Sequence, residues 1–304
     1  MIIEQINTLR KSKNAIILAH YYTLPDVQNI ADFVGDSLAL ARQAAATDAD
    51  IILFAGVNFM AETAKILSPK KKVLIPDVEA GCSLSDNCPI DELNLFLYKY
   101  SDHTVLSYIN CSAEVKAVSD IIVTSGNALK IVNALPKNEK IVFLPDRNLG
   151  AYINKETGRE MVLWNGACHV HDQLTADEVY RLKERYPNAK VLAHPECKAT
   201  VLALADFIGS TAAMLQFAKS DIATEYIVAT ETGILHEMQK QNPKKQFYVV
   251  TNPETCACNE CEYMKLNTLE KIYHALLTES PEIILEEQLI KKALNPIQKM
   301  LEYF

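Results

Sequence analysis

The sequence predicts an α/β fold with three homologous αβα three-layer units, whose parallel sheets surround a pseudo-threefold axis. One stretch occurs three times, as ILAHYYTLPDVQNIADFVGDS, VLSYINCSAEVKAVSDIIVTS and VLAHPECKATVLALADFIGST. After each copy, further apolar runs follow in the same order, and a cysteine-bearing loop then closes the unit. A repeat of roughly ninety residues indicates repeated structural units. Apolar runs that alternate with helical patterns indicate parallel sheets covered on both faces.

The sequence of the first unit predicts helices and strands that alternate. A helix over 2–12 precedes a strand over 14–18, and Pro25 suits the first turn of a helix over 25–33. The short VGDS run leads into a helix over 37–46, which is followed by a strand over 51–55. Asn58 is placed to cap the helix FMAETAKIL, and a strand follows over 73–75.

The remaining units repeat this plan. The second opens with a helix near 91–100, and the third opens with a capping box, Thr175 to Glu178, ahead of a helix to about 185 and a strand over 190–193. The tail is helical with a break at Ser280-Pro281, and we expect it to pack back across the units. We therefore divide the chain into units at 1–88, 89–173 and 174–266, and C-terminal helices at 267–304.

Composition limits the class of protein. The chain has 304 residues, of which 49% are hydrophobic and 22% charged, as in ordinary globular proteins. Its net charge of −8 argues against binding to nucleic acid or to an acidic membrane surface. No apolar run approaches the roughly 20 residues of a membrane span, and the N-terminus reads as a polar helix rather than a cleavable signal. We therefore expect a cytoplasmic protein whose cysteines are thiols or metal ligands.

Ring side chains and hydroxyls recur at matching places. Each first apolar run closes on a ring residue, and a hydroxyl follows 17 residues later: His20 and Ser37, Tyr108 and Ser125, His194 and Thr211. Ligands of parallel sheets bind outside the carboxyl ends of the strands, so we predict one central site. Each hydroxyl precedes a helix, where it would either cap the helix or help its N-terminus to bind an anion. The motifs contain little Lys or Arg apart from Arg147.

One cysteine occurs at the same place in each unit: Cys82, Cys168 and one of Cys256, Cys258 and Cys261. Three convergent thiolates suit a cubane iron–sulfur cluster with one open iron, whereas a structural zinc site would need a fourth ligand, such as His169 or His171. Cys82 lies 62 residues after His20, a spacing that favours Cys256 or Cys258 in the third unit. Cys258 and Cys261 could instead form a thiol–disulfide switch. Isolated cysteines are expected to be inert apolar residues, as for Cys88, Cys111 and Cys197.

The whole chain resembles the quinolinate synthase family of NAD biosynthesis. The resemblance rests on AHYY, GDSLALAR, GVNFMAETAKIL, YINCSAE, TSGNA, PDRNLG, NGACHVH, HPEC, GST, TETGILH and CEYMKLNTLE. It implies three αβα units and an oxygen-sensitive [4Fe–4S] cluster held by Cys82, Cys168 and Cys261, of which the last precedes the EYMKLNTL segment. It also implies condensation of iminoaspartate with dihydroxyacetone phosphate to quinolinate, with release of phosphate and water.

The resemblance also implies roles for individual residues. The open iron would act as a Lewis acid, and Tyr22 and Glu196 would move protons. The carboxylates and the reacting carbonyl would be held by His20, Ser37, Tyr108, Asn110 and Ser125, with His20 and Tyr108 also serving catalysis. The pocket would be completed by His171, His194, Ser210 and Thr211. A separate iminoaspartate-producing enzyme is an expected partner. A hydro-lyase with an open-iron cluster and a zinc- or ligand-binding protein are the alternatives.

Overall fold

Three four-stranded sheets form the framework of the computed structural model, which describes residues 1–251 and 259–302. Every pair of neighbouring strands within them is parallel. In each sheet the strand order is second, first, third and fourth along the chain. The predicted α/β class with three αβα units is therefore confirmed, while the boundaries between the units stay a prediction.

The same order of nine elements occurs three times. The first set is α1 (Ile2–Ser12), β1 (Ala15–His20), α2 (Pro25–Ile30), β2 (Phe33–Gly35), α3 (Ser37–Ala46), β3 (Ile51–Ala55), α4 (Asn58–Leu67), β4 (Lys72–Leu74) and α5 (Ser83–Asp86). The second is α6 (Ile90–Tyr98), β5 (Thr104–Tyr108), α7 (Ala113–Ala117), β6 (Ile121–Val123), α8 (Ala128–Ala134), β7 (Ile141–Leu144), α9 (Arg147–Thr157), β8 (Val162–Leu163) and α10 (His169–Asp172).

The third set matches the first two element by element. It is α11 (Ala176–Arg185), β9 (Lys190–Ala193), α12 (Ala199–Leu202), β10 (Phe207–Ile208), α13 (Thr211–Ser220), β11 (Glu225–Ala229), α14 (Ile234–Gln241), β12 (Gln246–Val249) and α15 (Glu262–Lys265). Two helices complete the described chain, α16 (Leu269–Thr278) and α17 (Glu287–Glu302). None of the described helices combines the length and the apolar composition that a membrane crossing requires.

Each sheet buries apolar side chains on both faces. In β1, Leu18 packs into one core while Ile17 and Ala19 pack into another on the opposite face. In β11, Ile227 and Tyr226 separate in the same way. Side chains alternate across a strand, and continuous apolar runs are typical of parallel strands covered on both faces. The repeated short apolar runs of the sequence are therefore the central strands.

The same hydrogen bonds hold the first strand in each of the three units. Asp32, Asp120 and Asp206 each accept a hydrogen bond from a backbone N–H of that strand, at 2.8, 2.8 and 2.7 Å. Their own backbone N–H groups each donate to the carbonyl of the same strand residue at 2.9 Å. Each aspartate lies directly before the short second strand and adds one more bonded pair between it and the first strand. This role explains why the aspartate has the same spacing in the three copies.

Some local predictions were wrong. The helix expected over 25–33 ends at Ile30, because Phe33 already pairs with Leu18 as the start of β2. Asn58 does not cap α4: it is the first helical residue after Val57, and its side-chain amide donates to the carbonyl of Val78 at 3.0 Å.

The two helices of the tail pack against the first and second units. Helix α17 contacts α4, α7 and β6, so it lies against the first and second units, and α16 packs on α1. Ala293, Ile297 and Met300 of α17 are fully buried in a core that includes residues of both units. A helix bound in this way stabilises the relative position of the two units.

We expect Ile297→Ala to lower the free energy of unfolding by about 2–4 kcal/mol, because it leaves a cavity in that shared core. Urea denaturation monitored by circular dichroism measures the change. Lys291→Ala on the exposed side of the same helix is the control, and its side chain is 71% exposed. A loss for Ile297→Ala no larger than that of the control would contradict the packing of α17.

Candidate active site

A cavity at the carboxyl ends of the strands is lined by residues from all three units. Its walls include the three ring residues that close the first strand of each unit, namely His20, Tyr108 and His194. They are 4%, 5% and 2% exposed. The equivalent places of three separate sheets therefore meet at one site.

The residues two positions further along also line the cavity, and they differ between the units. They are Tyr22, Asn110 and Glu196. The backbone N–H groups of Tyr22 and Glu196 donate to Nδ1 of His20 and His194 at 3.2 and 3.4 Å. The repeat thus places a phenol, an amide and a carboxylate at equivalent places around the cavity.

The three predicted hydroxyls line the cavity and do not cap helices. Asp36 caps α3 by accepting from the N–H of Ala39 at 3.0 Å, and Ser210 caps α13 by accepting from Ala213 at 3.3 Å. Ser37 and Thr211 are the first helical residues after these caps. Because a neighbour caps the helix, neither hydroxyl is used as the cap. Ser210 is buried but is not one of the residues that line the cavity.

Ser125 takes the third of these places without being a helix cap. Helix α8 begins at Ala128 after Asn127. The hydroxyl of Ser125 lies 3.2 Å from Nε2 of His194. The capping alternative is therefore wrong for all three hydroxyls.

Three thiols reach the cavity, one from each unit. Cys82, Cys168 and Cys261 each lie directly before the four-residue helix that ends the nine-element plan, α5, α10 and α15. Cys261 thus occupies the place equivalent to Cys82 and Cys168. The spacing argument favoured Cys256 or Cys258, which lie outside the described residues.

The other described cysteines do not line the cavity. Cys88, Cys111 and Cys197 are buried among apolar side chains. Their surroundings are those of inert apolar residues.

Burial keeps the cavity thiols protonated when no metal is bound. It raises the pKa of Cys82 to about 12, that of Cys261 to about 11 and that of Cys168 well above its ordinary value. A bound metal deprotonates such thiols, because its positive charge favours the thiolate. Three thiols in one cavity therefore form a donor set that fits a thiolate-bound metal centre.

A series of polar contacts connects two of the predicted catalytic residues. The hydroxyl of Tyr22 lies 2.8 Å from Oγ1 of Thr230, which lies 2.8 Å from Nε2 of His171. Nδ1 of His171 lies 3.1 Å from Oε2 of Glu196, and the same oxygen lies 3.1 Å from Nδ1 of His194. The other carboxylate oxygen of Glu196 is buried and has no hydrogen-bond partner within the described chain.

The pKa shifts of Tyr22, His171 and Glu196 follow from burial and from neighbouring groups. Burial raises the pKa of Tyr22 well above its ordinary value and lowers that of His171 to about 4, so both are uncharged at neutral pH. Burial alone would raise the pKa of Glu196, but the rings of His171 and His194 outweigh it and hold the pKa below its ordinary value. These contacts therefore join the neutral phenol of Tyr22 to the carboxylate of Glu196 through the neutral imidazole of His171.

The two histidines that could supply a fourth zinc ligand differ in their burial and in their contacts. His169 is exposed, and its Nδ1 lies 2.7 Å from the hydroxyl of Ser83. His171 is buried, with Nδ1 3.2 Å from Sγ of Cys168. Ligand atoms of Cys168, His171 and Glu196 all lie within 4.8 Å of one another, so this trio could hold a single ion.

Sequence reasoning did not single out Thr230. Its signal was its place in TETG, directly after β11 ends, where side chains of a parallel sheet reach a ligand. Arg147, the basic residue of the motifs, pairs with Asp172 at 3.1 Å and does not line the cavity.

Known proteins resemble this chain over nearly all of its length. A family model described as "Quinolinate synthetase A protein" matches residues 4–302. The "Quinolinate synthase" of Chloroherpeton thalassium is 56% identical over 300 residues, which cover 98% of this chain and 93% of that protein. The "Quinolinate synthase" of Thermosynechococcus vestitus is 55% identical over 302 residues, which cover 99% and 95%.

Burial and the nearby His194 lower the pKa of His20 to about 3, whereas a histidine in the unfolded chain titrates near 6.5. Between about pH 3 and pH 6.5, His20 therefore binds a proton in the unfolded chain but not in the folded protein. This contribution of His20 to stability is complete above about pH 6.5 and falls by about 1.4 kcal/mol per pH unit below it, down to about pH 3.

Between pH 7 and pH 5, the metal-free protein should thus lose about 2 kcal/mol more unfolding free energy than the variant His20→Gln. Urea denaturation at the two pH values measures both losses. Equal losses in the two proteins would show that folded His20 takes up protons freely.

Proposed function

The chain belongs to the quinolinate synthetase A family, and from this premise we propose that it condenses iminoaspartate with dihydroxyacetone phosphate to form quinolinate, releasing phosphate and water. One observation carries the proposal. Polar contacts that run from Tyr22 through Thr230 and His171 to Glu196 meet at a cavity lined by three thiols, one from each unit. A condensation followed by dehydration needs both an electrophilic centre and groups that move protons.

The cofactor we propose is a [4Fe–4S] cluster held by Cys82, Cys168 and Cys261. The donor set fits, because the three thiols are equivalent in the repeat and no other described cysteine lines the cavity. When bound, the cluster supplies an open iron that acts as a Lewis acid on a substrate oxygen.

The carboxylates and the phosphate of the substrates would be held mainly by neutral groups. No Lys or Arg is among the described side chains that line the cavity. Ser37 and Thr211 lie in the first turns of α3 and α13, where backbone N–H groups and the helix dipole favour anions. Asn110, whose side-chain oxygen is buried without a partner, can donate its amide to a carboxylate or carbonyl.

Tyr22 would act as the base and acid that faces the substrate. If its oxygen takes a proton from the substrate, its own proton can pass to Thr230, whose hydroxyl proton passes to Nε2 of His171. The imidazolium that forms is stabilised by the carboxylate of Glu196 at 3.1 Å. The reverse sequence returns the proton to a leaving hydroxyl.

Glu196 would serve as a second proton-transfer group. Its Oε1 is buried and has no partner within the described chain, so it is free to contact a substrate proton. His20, Tyr108 and His194 would orient the reacting carbonyl, and Ser125 would hold His194 through their 3.2 Å contact.

A single-ion site is the second candidate, because Cys168, His171 and Glu196 could coordinate one divalent metal. Metal analysis separates the two. A [4Fe–4S] protein contains iron and acid-labile sulfide in equal amounts, whereas the alternative contains one zinc and no sulfide.

We further propose that the enzyme works in the cytoplasm and receives iminoaspartate from a separate enzyme that produces it. An imine of this kind hydrolyses in water, so a nearby source would be needed.

Anaerobic reconstitution with iron and sulfide, followed by an assay with both substrates, tests the function. We expect quinolinate only when both substrates and the cluster are present. A cluster-loaded protein that forms no quinolinate, or that dehydrates other hydroxy acids instead, would overturn the proposal in favour of a hydro-lyase.

Replacing Cys82, Cys168 or Cys261 with Ala should abolish uptake of iron and sulfide, because each removes one of three ligands. The matched controls Cys88→Ala and Cys197→Ala remove buried thiols outside the cavity and should keep full uptake. Iron and sulfide analysis after reconstitution measures the result. Wild-type iron content in Cys261→Ala would transfer the ligand role to Cys256 or Cys258.

Thr230→Val keeps the shape of the side chain and removes the hydroxyl between Tyr22 and His171. We expect kcat per cluster to fall by about 100-fold, the size of a lost proton-transfer step, while Thr230→Ser keeps most of the activity. Steady-state kinetics on protein of measured iron content decides it. If kcat per cluster of Thr230→Val stayed within threefold of the wild type, a difference of roughly 0.7 kcal/mol, the contacts from Tyr22 through Thr230 to His171 would not carry protons.

A further inference from the structure

A carboxylate and an ammonium form an ion pair beside the cavity. Glu231 follows Thr230 after β11, and Lys265 is the last residue of α15. Nζ of Lys265 lies 2.8 Å from Oε1 of Glu231, and the two side chains are 17% and 1% exposed. Removing one partner of such a buried pair leaves an uncompensated charge, so the two groups depend on each other.

Glu231 holds the backbone at the third cavity cysteine. Its Oε1 accepts from the backbone N–H of Cys261 at 3.0 Å, and its Oε2 accepts from Gly233 at 2.6 Å. A carboxylate that accepts from backbone N–H groups forms charge-assisted hydrogen bonds, which are stronger than neutral ones. The position of Cys261 is therefore set by a side chain of a different loop.

Lys265 extends the connection to Tyr22. Besides the ion pair, its Nζ donates to the backbone carbonyl of Tyr22 at 2.7 Å. The path from Cys261 through Glu231 and Lys265 to Tyr22 consists of three polar contacts, none longer than 3.0 Å. It joins the proposed metal ligand of the third unit to the proposed proton-transfer residue of the first.

Close backbone packing supports the same junction. A Cβ at Gly233 would lie 2.7 Å from Cα of Tyr22, so only glycine allows this approach. The side-chain amide of Gln28 donates to the carbonyls of Gly233, Tyr21 and Thr23 at 3.1, 2.9 and 2.8 Å. The segment around Tyr22 is therefore held against the segment that follows β11.

The repeat shows that Lys265 is not a general feature of the fold. The residue four positions after the cavity cysteine is Asp86 in the first unit and Asp172 in the second. Asp172 pairs with Arg147 of its own unit. Only the third unit has a cation at this place, and that cation reaches across to the first unit.

We propose that Glu231 and Lys265 are positioning residues that hold Tyr22 and Cys261 in a fixed relation, so that the proton-transfer group and the metal centre face the same substrate. The inference rests on the proposed function for its chemical meaning, but the coupling of the two segments can be measured without it.

The first test uses hydrogen–deuterium exchange on the cluster-free protein. In Lys265→Met, amides in residues 21–24 and 261–265 should exchange about tenfold faster than in the wild type, because local opening becomes easier. The matched control is Lys271→Met, which removes a half-exposed lysine paired with Asp77. Unchanged exchange in both segments, relative to that control, would overturn the coupling.

The second test compares cluster retention with turnover. Loss of a residue that orients a metal ligand costs about 10- to 100-fold in metal affinity or activity. We expect an iron chelator to remove iron from Glu231→Ala at least about tenfold faster than from the wild type. We expect Lys265→Met to lower kcat per cluster by a similar factor with little change in KM, and Lys265→Arg to recover most of it.

Two further outcomes keep the inference separate from the proposed function. If Lys265→Met does not fold, the double variant Glu231→Gln with Lys265→Met leaves no unpaired charge, and its kcat per cluster should still fall because the contact to Tyr22 is gone. Wild-type kcat in that variant would overturn the inference. If the wild type makes no quinolinate, the proposed function fails, whereas a working wild type with unaffected variants rejects the positioning role alone.

Discussion

A parallel sheet places its variable loops at the carboxyl ends of its strands, and this chain directs three such sets of ends at one cavity. That constraint decides where the chemistry can lie. Buried and mostly apolar strands form each sheet. The polar side chains collect where the strands stop, and helix α17 holds two of the units together. The cavity is therefore a property of the whole molecule rather than of any single unit.

Repetition and its breakdown have different roles in this protein. The places of the cysteines, the ring residues and the hydroxyls repeat, which provides three thiols and three hydroxyl-bearing walls. The places two residues after the rings do not repeat, and the phenol, amide and carboxylate found there distinguish the three walls chemically. A metal centre held by these thiols would thus face three chemically different walls. The ion pair between Glu231 and Lys265 is a further departure from the repeat, and it connects two of the walls.

The sequence predicted the framework well because apolar runs and their spacing are local signals. Contacts across loops were harder to predict. The equivalence of Cys261 with the other two thiols depends on its place before a short helix, whereas residue spacing is altered by any change in loop length. Ser37 was considered as a cap, although the adjacent Asp36 takes that role. Thr230 gained its significance only when the fold placed it between Tyr22 and His171, which are far apart in the sequence.

We propose above all that three equivalent thiols hold an iron–sulfur centre where the units meet. Anomalous diffraction at the iron edge, from crystals grown anaerobically after reconstitution, tests it most directly. We expect a compact four-iron peak in the cavity, bonded to Sγ of Cys82, Cys168 and Cys261, with one iron free of protein ligands. A single metal ion bound by Cys168, His171 and Glu196, or iron bonded to any other set of cysteines, would contradict the claim.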